Sequence, residues 1–567
     1  MQPTRTRSSV ALLAVVLAVM TVAGGLAGPL VATSSAVASD SASATTFDGV
    51  TTTSPDGPAA MTDRTPALES ATASSAVAAT QDARPETPST EDTVGYVEGY
   101  WYDDELAVDG QPNAVVDEDE LDPVIYRAMA RVETIRNMTF ADEVAVDVVS
   151  RETYRQTNEE RFANYTAAER LEQNVGYEAL FTVDRETAAA DATETVYGGA
   201  VKGYYDPETD EIVIVSENPE TPELDELTLG HELVHALQDQ RFNLSQLHGS
   251  TQDAELAGNG LAEGDASWVE REYEARCGSE WDCLSPSGGE QAGTFDVNWG
   301  IYFAVYQPYS DGPDYVDHLR RQGEGWSAVN AAYDNPPATT SAVIHPGSER
   351  EPTDVSVPDR SSDGWRQLSV DDEVANDTVG EAGMVAMFAA DAMDGSQSSV
   401  ISASELFGSE DGSYNYDHSA TDGWAGDELV VYTSDEIDNE SDSAAAAGEA
   451  GYVWRTKWQS AGDSEEFLDG YRRLLDNHGS EAVDDRQDTF VIDDGGYAGA
   501  YYLEQNGTTV TIVRAPSVAE LSNVEAGAAP EAAPDPIPGF GVTAAAGAIG
   551  LALLGSATWF AVGRRRQ

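Results

Sequence analysis

Two histidines four residues apart, with a glutamate beside the first, stand in Leu227-Thr-Leu-Gly-His231-Glu232-Leu-Val-His235-Ala-Leu-Gln-Asp-Gln240. On a helix, positions i and i+4 share a face, so both imidazoles can reach one cation. Glu232 lies about 100° round from His231, near enough to polarise a metal-held water without itself binding the metal. Zinc suits such a pair, because imidazole nitrogen is a common zinc ligand and catalytic zinc keeps one position open. Leu227, Leu229, Leu233, Val234 and Leu237 supply the apolar stripe that would bury this helix. A third protein ligand is then required. Glu263 is the candidate, on a second helix expected to begin near Gly260 and to return antiparallel to the first; Glu255, Glu270 and Glu272 are alternatives.

The stretch H-E-L-V-H-A-L-Q-D-Q, followed by A-E-G-D-A at positions 262–266, resembles the gluzincin class of zinc metallopeptidases. The resemblance implies His231, His235 and Glu263 as ligands of a single catalytic Zn2+, and Glu232 as general base. The pattern departs from the thermolysin-like form, which has an aspartate four residues after the third ligand; here that position is Ser267. Asp265 or Asp239 is therefore expected to orient an imidazole from behind. A further stretch, Asn335-Pro-Pro-Ala-Thr-Thr-Ser-Ala-Val-Ile-His345-Pro-Gly347, resembles an element that accompanies H-E-x-x-H in related metallopeptidase-like proteins. His345 is accordingly expected to stabilise the oxyanion of a tetrahedral intermediate. His248, His318, His418 and His478 have no partner spacing and read as structural or exposed.

The elements that would position these groups read as an α+β fold: a zincin-like domain over 94–350, with a mixed sheet and active-site helices, then a smaller α+β domain over 351–522. Helices are expected over Leu121–Arg136 and from Glu152 to about Glu172, with a half-buried strand at Glu143–Val149. Val196–Tyr205 and Glu211–Val215, either side of a Pro/Asp turn, read as a hairpin. In zincin-type peptidases an edge strand beside the metal takes the substrate as an added strand, a role the resemblance would give this hairpin. Further on, Glu381–Met393 reads as an apolar helix, Gly423–Tyr432 and Tyr452–Trp458 as strands, Glu465–Leu475 as a helix, and Gly499–Leu503 with Thr508–Val513 as a closing hairpin.

The ends read differently. Arg5 and Arg7 precede an apolar run and an Ala36-Val37-Ala38 exit, the pattern of a secretory signal peptide over 1–38. Residues 39–93 are rich in Ser, Thr, Ala and Pro and read as a disordered spacer. A linker over 523–537 leads to Pro538-Gly539-Phe540, a mostly apolar run from Gly541 to Val562, and Arg564-Arg565-Arg566. That run is long enough to span a bilayer, with the arginines on the cytoplasmic side. The arrangement over 538–567 resembles the haloarchaeal PGF sorting signal, which implies processing by an archaeosortase and a lipid anchor at the cell surface. Cys277 and Cys283 are expected to form a small-loop disulfide in an exported chain. Sequons at Asn137, Asn164, Asn376, Asn439 and Asn506 are candidate N-glycosylation sites, and that at Asn243 lies too near the metal helix.

The net charge of −71 and a pI of about 4.1, with Lys202 and Lys457 the two lysines, point to a surface that works in concentrated salt. At 1 M the Debye length is about 3 Å, and self-repulsion is largely screened. Nucleic acid is excluded as a partner, since phosphate binding needs a basic face. The expectation is a surface-anchored zinc metallopeptidase acting on a peptide or protein substrate, or else an envelope binding protein on the same scaffold without turnover.

Overall fold

Acidic Glu118, Asp119 and Glu120 at one end and Arg136 at the other complement the dipole of the first long helix, α1 (Glu118–Arg136). The computed structural model describes Leu17–Ala18 and residues 84–532, apart from 112, 163–164, 287–296, 324, 349, 351, 394–397, 409–412, 435–443 and 445. The signal-peptide reading apart from that pair, most of the spacer, the PGF segment, Asn164 and Asn439 fall outside these residues. Among the described residues, no helix is long and apolar enough to cross a membrane.

The chain is mixed α+β. After α1 come β1 (Ala145–Ser150), α2 (Ala167–Ala179), β2 (Gly203–Asp206) and β3 (Glu211–Ser216). β1 pairs parallel with β3, and β2 pairs antiparallel with β3. The expected hairpin is real but shorter than read, because residues 189–200 are helical. Leu17–Ala18 pairs antiparallel with β2 at its other edge. Then follow α3 (Glu226–Phe242), α4 (Gln252–Arg276), α5 (Trp299–Gln322) and the short α6 (Thr340–Ile344). The remainder holds α7 (Gly380–Ala389), β4 (Trp424–Ser434), β5 (Gly451–Trp458), α8 (Ala461–Asn477), β6 (Thr489–Ile492), β7 (Gly499–Asn506) and β8 (Thr509–Ala515). The larger sheet runs β4-β5-β8-β7-β6, antiparallel throughout, with short strands added at its ends.

Alternation along the large sheet splits its faces between two cores. Leu429, Val431, Trp454 and Ile512 point one way, Val430, Tyr432, Val453 and Val513 the other. The first of these cores also takes Leu171, Phe181, Ile301, Phe303 and Ile344, so it crosses the boundary expected at 350. The described residues from Ser89 onward belong to one compact unit. A separate core seats the face of α3 carrying Leu229, Leu233, Val234 and Leu237 against Val124, Ala128 and Val132 of α1 and Ile212 and Ile214 of β3. Each such leucine contributes about 1.5–3 kcal/mol by leaving water.

α4 begins at Gln252, eight residues before the expected start near Gly260, so its glycines lie inside the helix. They are there for close approach. A Cβ built on Gly264 would sit 2.3 Å from the Gly312 carbonyl oxygen of α5, and one on Gly312 would sit 2.5 Å from the Gly260 carbonyl oxygen. Both contacts are with backbone, which cannot rotate aside, so α4 and α5 touch main chain to main chain. Gly264→Ala is expected to lower stability by about 1–3 kcal/mol, as overpacking does, and thermal melting in high salt measures it.

The N-terminus of α4 meets α6 at Asp253, whose Oδ1 accepts the Thr340 N–H (2.9 Å) and Oγ1–H (2.6 Å). Burial pushes this carboxyl up to about 7, opposed by the Thr340 bonds and reinforced by Asp427 and Glu381. Unfolded, the group loses its proton near its ordinary 3.8. Its contribution to stability is therefore full below about pH 4, declines as pH rises towards 7, and is flat above. Asp253→Asn keeps the accepting oxygen. It is expected to gain on the parent between about pH 4 and 7, by up to about 4 kcal/mol, in denaturant titrations at fixed salt.

Candidate metal centre

α3 is fixed before it is functional. Asp225 accepts the Leu227 N–H at 3.2 Å as its N-cap, and Asn243 closes it in the left-handed region at φ 61°. Glu226, fully buried in its first turn, takes Arg127 (3.1 Å), Arg131, the Tyr273 hydroxyl (2.6 Å) and the Leu284 N–H (2.9 Å). These donors come from α1, from α4 and from the segment after the Cys277–Cys283 disulfide, which is formed. Removing a partner from a buried ion pair typically costs 3–5 kcal/mol, so this clamp sets where the helix starts.

On that helix His231 and His235 are buried, as is Glu263 across from them on α4. Their potential ligand atoms all lie within 4.8 Å of one another. His231 Nε2 is 3.1 Å and His235 Nε2 3.3 Å from the same oxygen, Glu263 Oε2. The other ring nitrogens are committed. His231 Nδ1 donates to Glu270 Oε2 at 2.9 Å, and His235 Nδ1 to Gln238 Oε1 at 2.9 Å, while Gln238 Nε2 donates to the Ala262 carbonyl (2.9 Å). With both Nδ1 atoms donating, two Nε2 lone pairs and a carboxylate oxygen converge on one point, an arrangement that asks for a cation. The three residues thus fit a metal ion.

Electrostatics agree. Burial alone would raise the Glu263 carboxyl, but His235 and His231 outweigh it and hold it down at about 2. His231 is desolvated too, yet its contacts with Glu263 and Glu270 push its proton affinity well above that of an ordinary imidazole. Metal-free, the site stores a proton where a metal would displace it. Glu232 differs from its neighbours: burial pushes it up to about 7 against the pull of His231 and His235, and neither carboxylate oxygen has a hydrogen-bond partner. The Tyr205 main-chain N–H of β2 lies close enough to favour its ionised form without making a hydrogen bond of ordinary geometry, which places that strand beside the site.

Several expectations are corrected. Asp265 does not orient an imidazole: Arg136 grips it from two nitrogens (2.9 and 3.0 Å), and the Tyr333 hydroxyl donates to it at 2.8 Å. Asp239 does not either, since it accepts the Tyr205 hydroxyl (2.9 Å) and the Leu244 N–H (2.7 Å). Their places are taken by Glu270 and Gln238. Glu270 lies seven residues after Glu263, on the same face and one turn beyond Ser267, so the orienting carboxylate has moved along the helix. Of the alternative ligands, Glu255 caps the His248–Gly249 turn, Glu272 pairs with Arg276, and Glu270 stands behind His231 rather than in the triad. His345 Nε2 bonds the buried Glu381 at 2.9 Å, and its ring groups with Asp417 and Asp422 rather than with the triad. Asn376 is half-buried and donates its amide to Glu428 at 2.9 Å beside a strand pair, whereas Asn137 and Asn506 are exposed.

A family model of a domain of unknown function (DUF8575) matches residues 366–525. No curated protein and no solved structure matches the chain.

Glu270→Gln leaves a neutral group behind His231. Metal affinity is expected to fall about 10–100-fold with the metal-free melting temperature little changed, as competition with a chromogenic chelator would read.

Proposed function

We propose that this chain is a surface-anchored zinc metallopeptidase of zincin-like fold. The observation that carries the reading is the unpartnered Glu232 carboxylate, buried beside two oriented imidazoles and a carboxylate that converge on one point. His231, His235 and Glu263 would hold zinc, since two nitrogens and one oxygen leave a position open. Bound there, zinc supplies Lewis-acid activation of water and of the scissile carbonyl. Glu232 takes the proton from the attacking water and returns it to the leaving amine, a task for which a carboxylate free of hydrogen bonds is suited. Glu270 and Gln238 hold the imidazoles with Nε2 towards the metal. β2, beside Glu232, carries Leu17–Ala18 as an added strand at its outer edge, and removal of the expected leader would open that edge to an extended peptide. The leader, the PGF-type segment with its archaeosortase processing, and the acidic surface support export to the outer face of a cell in concentrated salt.

The depth of the site favours a second reading. His231, Glu232, His235 and Glu263 are all exposed by 2% or less, which suits a structural metal in an envelope binding protein. Metal analysis and peptide-library cleavage with the full-length protein in high salt separate the two. One zinc per chain, lost in His235→Ala, with cleavage abolished in Glu232→Gln while zinc is retained, is the expected outcome. Stoichiometric zinc without cleavage selects the second reading, and a Glu232→Gln protein at full rate would sink the assigned base.

A further inference from the structure

Glu263 has two oxygens, and the structure treats them differently. Oε2 faces the two Nε2 atoms, while Oε1 accepts the Tyr309 hydroxyl of α5 at 2.8 Å. Tyr309 is placed by several contacts. Its ring plane lies 21° from that of His231 with centroids 6.5 Å apart, and the Tyr306 ring stacks with it at 5.7 Å. Its residue is three positions before Gly312, whose backbone meets Gly264, the residue after Glu263. The glycine contact that brings the two helices together therefore also sets the reach of the phenol to the carboxylate.

We propose that Tyr309 is a positioning residue that locks Glu263 as a one-oxygen metal ligand, an inference that rests on the metal reading above. A carboxylate free to turn can offer a cation both oxygens and fill the coordination position that water needs. With Oε1 donated to by Tyr309, only Oε2 is presented. Tyr309 thus acts on the metal through Glu263.

The test is Tyr309→Phe in the full-length protein, which keeps the ring and removes the hydroxyl. Zinc affinity, read by chelator competition, is expected to fall about 10–100-fold. The metal-free variant should melt with the metal-free parent, and activity should recover towards the parent's as zinc is raised. Tyr309→Leu should lose zinc as readily as the Phe variant if the hydroxyl is what matters. Parent-like zinc retention in Tyr309→Phe overturns the proposal, as does a defect confined to Leu, which would assign the role to ring stacking. Loss of the fold in the metal-free Phe variant also overturns it, by making the hydroxyl structural. Absence of zinc from the parent sinks the metal reading itself, and is recognised because the failure then precedes any substitution.

Discussion

Four ionisable groups, His231, Glu232, His235 and Glu263, lie together out of water between α3 and α4, and their burial is the constraint on which the rest of this half of the molecule depends. Desolvating a charge costs several kcal/mol unless it is paired and hydrogen-bonded. Three of the four meet that condition through named partners: Glu270 behind His231, Gln238 behind His235, Tyr309 above Glu263. Glu232 alone does not, and its carboxyl rises to about 7 in consequence. A natural protein seldom leaves both oxygens of a buried carboxylate without a partner unless something is meant to arrive there.

The scaffold answers the same constraint at a larger scale. Such a polar cluster keeps its geometry only if the helices bearing it cannot slide. Glu226 pins the start of α3 with two arginines, a tyrosine and a main-chain amide. The Arg136–Asp265 pair with Tyr333 ties α4 to α1 two residues beyond Glu263. Gly264 against Gly312 fixes the separation of α4 and α5. Asp265 is thus as important as expected but for another reason: it positions the helix, and through it Glu263, instead of an imidazole.

What the sequence made legible follows from how local each signal is. The H-E-x-x-H pair, the strands at β1, β3, β4 and β5, α8 and the closing β7–β8 hairpin all rest on short-range periodicity, and they were readable. α5 was not, because Pro308 and Pro313 interrupt a 24-residue helix whose stability comes from burial against α4 and α7. With α5 unseen, Tyr309 was invisible. The start of α4 was placed late, near Gly260: glycine lowers helix propensity by about 1 kcal/mol, and only packing of Gly260 on Val343 of α6 and of Gly264 on Gly312 of α5 shows what offsets it. Glu270 was within reach, being one turn past Ser267 on the Glu263 face, and was considered as a ligand instead of an orienter.

The boundary expected near residue 350, between the half carrying the His231–His235–Glu263 cluster and a second domain, is crossed by a shared core, which bears on function. Met384 and Phe388 of α7 share a core with Ile301 and Phe303 of α5, and Gln252 at the head of α4 donates its N–H to Asp377 at 2.8 Å. Asp253 beside Gln252 also donates its main-chain N–H to the Thr378 carbonyl at 3.0 Å across that joint. The segment matched as a domain of unknown function therefore forms one wall of the core behind α5, and α5 carries Tyr309. A change in that segment that shifts α7 has a direct mechanical route to the Glu263 carboxylate, through contacts between packed side chains alone. The 366–525 region is in this sense part of the support of the His231–His235–Glu263 cluster.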